Sequence, residues 1–103
     1  MNSTDKRLFD FVLKVATNTY IQAINDHSGA PLLPRIKPIL RTNELRLEAL
    51  LTSRLSVFHE EDLRQVLKVT QWAQNTTDRQ SLLGHLEYIK ERLDALNADL
   101  VNE

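Results

Sequence analysis

Apolar residues recur along this chain at intervals of three and four, the spacing of helices that turn one face inward. Phe9, Leu13, Ala16, Tyr20 and Ile24 mark the first stripe, widened by Leu8, Val12 and Val15. With Ser3 or Thr4 as cap and Asp5 in the first turn, they predict helix 1 over about 4–27. His27-Ser28-Gly29 should close it, since glycine tolerates the left-handed conformation that ends helices. Pro31, Pro34 and Pro38 then predict a stiff Pro-rich connector over 28–38, with Leu32, Leu33 and Ile36 laid across the neighbouring helices.

Ile39, Asn43, Leu47, Leu50, Leu51, Arg54, Leu55 and Phe58 mark the inner face of helix 2, over about 39–57, with Leu45 on its flank. Helix 3, about 60–75, follows almost at once. Phe58 and Leu63 read as a hydrophobic staple around His59 as N-cap, and Glu60, Glu61 and Asp62 fill the first turn, where negative charge is favoured. Its inner stripe is Leu63, Val66, Leu67, Thr70 and Ala73, with Val69 and Trp72 beside it. Helix 4, about 78–101, opens on a Thr77/Gln80 capping box. Leu82, Leu86, Ile89, Leu93, Leu96 and Leu100 then alternate strictly at four and three. The expected architecture is all-α: a single domain over 1–103, built as a small antiparallel bundle of about four helices.

Composition narrows the chemistry. Of 103 residues, 18 are leucine, two are glycine and none is cysteine, which removes disulfides, thiolate nucleophiles and sulfur-bound zinc. No apolar run approaches the roughly 20 residues a membrane span needs, and Asp10 and Lys14 interrupt the Leu8 to Ala16 stretch that a leader peptide would require. A cytoplasmic protein without a membrane role is expected. The triplets Asn2-Ser3-Thr4 and Asn75-Thr76-Thr77 read as helix starts rather than glycosylation sites.

His27, His59 and His85 have no second ligand at a metal-site spacing, and His59-Glu60-Glu61-Asp62 is explained by a cap and its acidic turn. Two glycines build no phosphate loop, and no nucleophile motif is present, so neither an enzyme nor a cofactor nor a small-molecule substrate is expected. Gly29 reads as the helix stop. Gly84, inside helix 4, leaves two readings: close approach of another helix beside Ser81, or a local break. Pro31-Leu32-Leu33-Pro34-Arg35 resembles a polyproline ligand in outline, with its basic residue misplaced.

Charge is uneven although the net is −1: residues 1–30 balance at 0, residues 31–58 at +3 and residues 59–103 at −4. Arg35, Lys37, Arg41, Arg46 and Arg54 make the middle basic, as a phosphate-binding segment would be. A helix-turn-helix reading of helices 2 and 3 fails on Glu60-Glu61-Asp62, which would face phosphates with the wrong sign. The expectation is a non-catalytic protein that binds another protein and modulates or inhibits it, as an antiactivator, inhibitor, adaptor or chaperone does. Trp72 and Tyr88 are the expected anchors, with Arg46 and Arg54 at the rim. The alternative is a nucleic-acid-associated transcriptional regulator using residues 35–54. Leu86, Ile89, Leu93, Leu96 and Leu100 are the candidate seam for a homodimer, because a chain this small has difficulty hiding so much apolar surface.

Overall fold

In a computed structural model that describes residues 3–54 and 56–101, the chain forms four α-helices: α1 (Ser3–Ile24), α2 (Leu33–Leu51), α3 (Ser56–Ala73) and α4 (Arg79–Val101). Each packs on its neighbours in chain order, and α4 returns to pack on α1. With short turns between successive helices, this is an antiparallel bundle measuring 42 × 21 × 19 Å.

The core falls into two clusters, one toward each end of the bundle. One end is filled by Phe9, Val12, Leu47, Leu50, Leu63, Val66, Leu93 and Leu96, among others. The other is filled by Ala23, Leu32, Ile36, Leu40, Ala73, Leu82 and Leu86. Helix α1 is rotated relative to the expected stripe. Phe9, Val12, Ala16, Thr19 and Ala23 are its buried positions, while Ile24 is exposed and Leu13 and Tyr20 are only half-buried. Thr19 can occupy that inner row because its hydroxyl donates to the Val15 carbonyl at 2.7 Å, leaving nothing polar unpaired.

Several helix ends differ from the sequence reading, each for a local reason. Ser3 and Thr4 both lie within α1 as described. At the other end α1 stops at Ile24, because Asp26 turns the chain by accepting the Ser28 N–H at 3.0 Å; Gly29, at φ 79°, completes the loop rather than the helix.

The connector is shorter than 28–38. Pro34 stands in the first turn of α2, where a missing N–H costs nothing. Pro38 lies inside the helix and is exposed, as is Pro34, whose carbonyl is the one that loses its N–H donor. Nor does α2 reach 57. The Thr52 and Ser53 hydroxyls donate to the Ala49 and Leu50 carbonyls at 2.7 and 2.6 Å and close it at Leu51. Arg54 and Phe58 are consequently not inner-face residues. Phe58 is 80% exposed, so the expected staple onto Leu63 does not form, and Leu55 is outside the described residues.

Helix α3 starts with a short turn and leaves helical geometry at His59, at φ −129° and ψ 21°, before its main run. Asp78, not Thr77, caps α4: its carboxylate accepts the Ser81 N–H at 2.8 Å, and that bond holds Asp78 below the ordinary carboxylate range.

Between α2 and α3 the contact is polar as well as apolar. Glu44 is buried, and its carboxylate accepts from Gln74 at 2.8 Å, Gln71 at 3.1 Å and Arg41 at 2.9 Å. Burial pushes the Glu44 carboxyl up, but the bonds from Gln74, Arg41 and Gln71 together outweigh it and hold it below its ordinary value of 4.5. Among the described residues, every buried side-chain nitrogen or oxygen has a partner.

Glu44→Leu should therefore cost about 1–3 kcal/mol in urea unfolding, since it strips three bonds from a buried site. The pH dependence has a definite sign. A depressed folded value means that Glu44 contributes stability fully above 4.5 and loses it as pH falls through the lower folded value, so Glu44→Gln should flatten the acid limb of a midpoint-against-pH curve. Gly84 is helical and exposed, and a Cβ built on it meets nothing within 4 Å. Neither a break nor a close approach within the chain requires a glycine there, and Gly84→Ala should raise stability by about 0.5–1 kcal/mol in the same assay.

Candidate functional site

The leucine seam of α4 faces inward. Leu86, Ile89, Leu93 and Leu96 are all buried against α1 and α3 and within the core, and Leu100 is half-buried at its edge. Side chains already enclosed by the chain's own helices are not available to a second copy, so the seam offers no dimer surface. The reason is geometric: α1 is long enough to cover α4 along most of its length.

The four expected contact residues fall in three places. Trp72 is 51% exposed on α3, where the Lys68 ammonium lies 5.0 Å from the centre of its ring. His85 of α4 approaches the same indole at 6.4 Å between ring centres, tilted by 53°. Tyr88 follows His85 by three residues on α4 and packs its ring on the edge of the core. Arg92, four residues further, lies 5.8 Å over that ring and 3.6 Å from Asp62 of α3. Helical spacing thus places Trp72, His85, Tyr88 and Arg92 along one groove between α3 and α4.

Arg46 is elsewhere, on the α1 side of α2. It stacks at 4.3 Å on Phe11 and donates to Asn43 at 3.1 Å. Arg54 is exposed beyond the end of α2. The cations beside the aromatic strip are therefore Lys68 and Arg92. Both were legible as neighbours of an aromatic residue at helical spacing, Lys68 to Trp72 and Tyr88 to Arg92, but only the pairing of α3 with α4 joins the two runs into one surface.

Helix geometry divides the basic middle segment. Arg35 and Arg46 lie on the flank of α2 nearer α1, and Lys37 and Arg41 on the flank nearer α3. Arg35 pairs with Asp26 and Arg41 with Glu44 at 2.9 Å, so much of this charge is already answered within the chain. A continuous phosphate-binding stripe is not formed.

The three histidines are well separated. His27 lines an open cleft of about 560 Å³ with Asp26, Pro31, Thr77 and Arg79. The Arg79 guanidinium is already committed there, donating to the Ala23 carbonyl at 2.9 Å and the Asp26 carbonyl at 2.7 Å. His59 sits at the start of the α3 main run, followed by Glu60, which accepts from Arg64 at 2.7 and 2.9 Å. Among the described residues no three His, Asp or Glu side chains are grouped to hold a metal ion, and no helix is long and apolar enough to cross a membrane.

Comparison with known proteins adds no identity: no protein family, no curated protein and no solved structure matches this chain.

A surface role for Trp72 separates it from the core in a direct measurement. Trp72→Ala should lower stability by less than about 1 kcal/mol, whereas Leu93→Ala, in the fully buried seam, should cost about 2–5 kcal/mol by urea denaturation.

Proposed function

We propose that this chain is a non-catalytic recognition module of the cytoplasm that binds another protein through the groove between α3 and α4 and thereby modulates or inhibits it. The observation that carries this reading is Trp72. A large indole left half in water costs the chain burial it could have had, and it is held in place by Lys68 and His85 rather than left loose. Trp, Tyr and Arg supply most binding energy at protein interfaces, and here Trp72, Tyr88 and Arg92 share one groove. Tyr88 offers its ring edge and hydroxyl, Trp72 its apolar face, and Lys68 and Arg92 a cationic rim. The rim arginine of this reading is Arg92, in place of Arg46 and Arg54. Nucleic-acid binding has less support, because the basic residues of α2 occupy two flanks and two of the four, Arg35 and Arg41, are paired internally.

The test is a comparative purification from the organism that makes the protein, using the tagged parent chain, Trp72→Ala, Arg92→Glu and Arg54→Glu. The parent and the three variants should show the same helical circular dichroism. A protein that co-purifies with the parent and with Arg54→Glu should be depleted about tenfold by Trp72→Ala and by Arg92→Glu. Equal recovery with all four would refute the groove as the contact surface.

A further inference from the structure

Two faces away from that groove carry opposite charge. On α1, Arg7, Phe11 and Lys14 follow one another at four and three residues and so form one stripe. Arg46 reaches the stripe from α2, its guanidinium 4.3 Å from the centre of the Phe11 ring. Its Nη1 donates to Asn43 Oδ1 at 3.1 Å, and Asn43, itself buried, donates to the Val12 carbonyl at 3.2 Å. Arg46 is thus held in one orientation before any partner arrives, which reduces the entropy lost when its remaining N–H groups are used. Among the described residues, Arg7, Lys14 and Arg46 have no ion-pair partner; Asp10 borders the stripe without pairing with them.

The outer face of α4 is the reverse. Glu87, Glu91 and Asp94 follow at four and three residues and are exposed, with Gly84 and Ala98 on the same side. Asp94 is shared with Lys90 at 2.8 Å, while Glu87 and Glu91 have no ion-pair partner among the described residues. The two sets match in register. At 1.5 Å per residue, Glu87 to Asp94 spans about 10 Å, as does Arg7 to Lys14, and Arg46 enters at the level of Phe11 between them. The imbalance extends beyond these six. Residues 3–54 hold eight basic and five acidic side chains, and residues 56–101 hold five basic and eight acidic.

The geometry points to a second copy of this chain as the occupant: the acidic outer face of α4 in one molecule docks on the α1–α2 face of the next. Carboxylates of Glu87 and Glu91 meet Arg7, Arg46 and Lys14, with the half-exposed Phe11 ring enclosed among them at the level of Glu91. The contact is heterologous. Each molecule presents two different faces, so one pairing leaves a face of each kind free and association continues past the dimer. The leucine seam stays enclosed in every copy, and the Trp72 groove is not used.

Sedimentation equilibrium of the full chain tests this. At about 50 mM salt the weight-average mass should rise with concentration above 11.9 kDa and past twice that value, and at about 500 mM salt it should return to 11.9 kDa as the charges are screened. Arg46→Glu and Glu91→Arg should each weaken association about tenfold or more, and the two changes together in one chain should restore it. Lys14→Glu, at an exposed position away from Asn43, should weaken it likewise. It decides the outcome if circular dichroism shows that Arg46→Glu has lost its fold. Trp72→Ala should associate like the parent, which keeps this proposal separate from the partner-binding groove. A mass of 11.9 kDa at every concentration in low salt would overturn the proposal. So would association that survives the charge reversals, or a double variant as weak as the singles.

Discussion

Arg79 closes the ring of helices. Successive helices are tied by short turns, but α1 and α4 meet with no covalent link near their contact, and it is at that junction that the guanidinium of the first α4 residue donates to the Ala23 and Asp26 carbonyls. Those carbonyls belong to the last turn of α1 and the stretch just beyond it, where backbone N–H partners run out and the Ala23 carbonyl has only the Asp26 N–H at 3.3 Å. Asp26 gathers the same corner from three directions. Its carboxylate stops α1 by bonding Ser28, pairs with Arg35 at the start of α2, and stands 3.8 Å from Arg79. Because the Asp26 side chain is 9% exposed, water competes less for these contacts than at an open surface pair. The ends of α1, α2 and α4 are thereby set relative to one another, and the buried leucines of α4 depend on that setting.

The opposite flank uses a different device. Glu44 binds α2 to α3 through the amides of Gln71 and Gln74, while Arg41 of its own helix answers the charge, a buried charge acceptable only because each oxygen has a donor. A hydrophobic pair at this position would bind without regard to register. The carboxylate instead requires Gln71 and Gln74 at particular heights along α3, so it aligns the two helices more than it glues them. A comparable role falls to Asn43 between α1 and α2, where one buried amide bonds a backbone carbonyl inward and an arginine outward.

How much of this could be read from the residues depended on the range of the interaction. The four helices, their order and the apolar stripe of α4 followed from periodicity, but periodicity left open whether Leu86 to Leu96 faced the chain's own core or a second copy, and only the packing of α1 and α3 closed that choice. The tilt of α1 did not: Phe9, Val12 and Ala16 compete with Leu13 and Tyr20 as the inner row, and only packing against α2 and α4 chooses between them. Helix ends failed where side chains act as local caps. Nothing in composition distinguishes the Thr52 and Ser53 hydroxyls, which end α2, from that of Thr70, which bonds the Val66 carbonyl inside α3 without interrupting it. Pro38 misled because proline's cost depends on which way the ring points. In the candidate site, Trp72 and Tyr88 were apparent as residues of the right chemistry. Arg46 and Arg54 were wrongly grouped with them, since only the ring order of helices puts α2 and the α3–α4 groove on different sides.

Trp72 is the sole tryptophan in the chain. Its indole stands where α3 and α4 meet, touched by a side chain from each. The long-wavelength emission of the whole protein therefore originates at one junction of the bundle. Light reports the separation of α3 from α4, while α1 and α2 can come apart from each other in optical silence. The molecule carries a local probe of its own making, placed on the one groove where a change of surroundings would have the most to say.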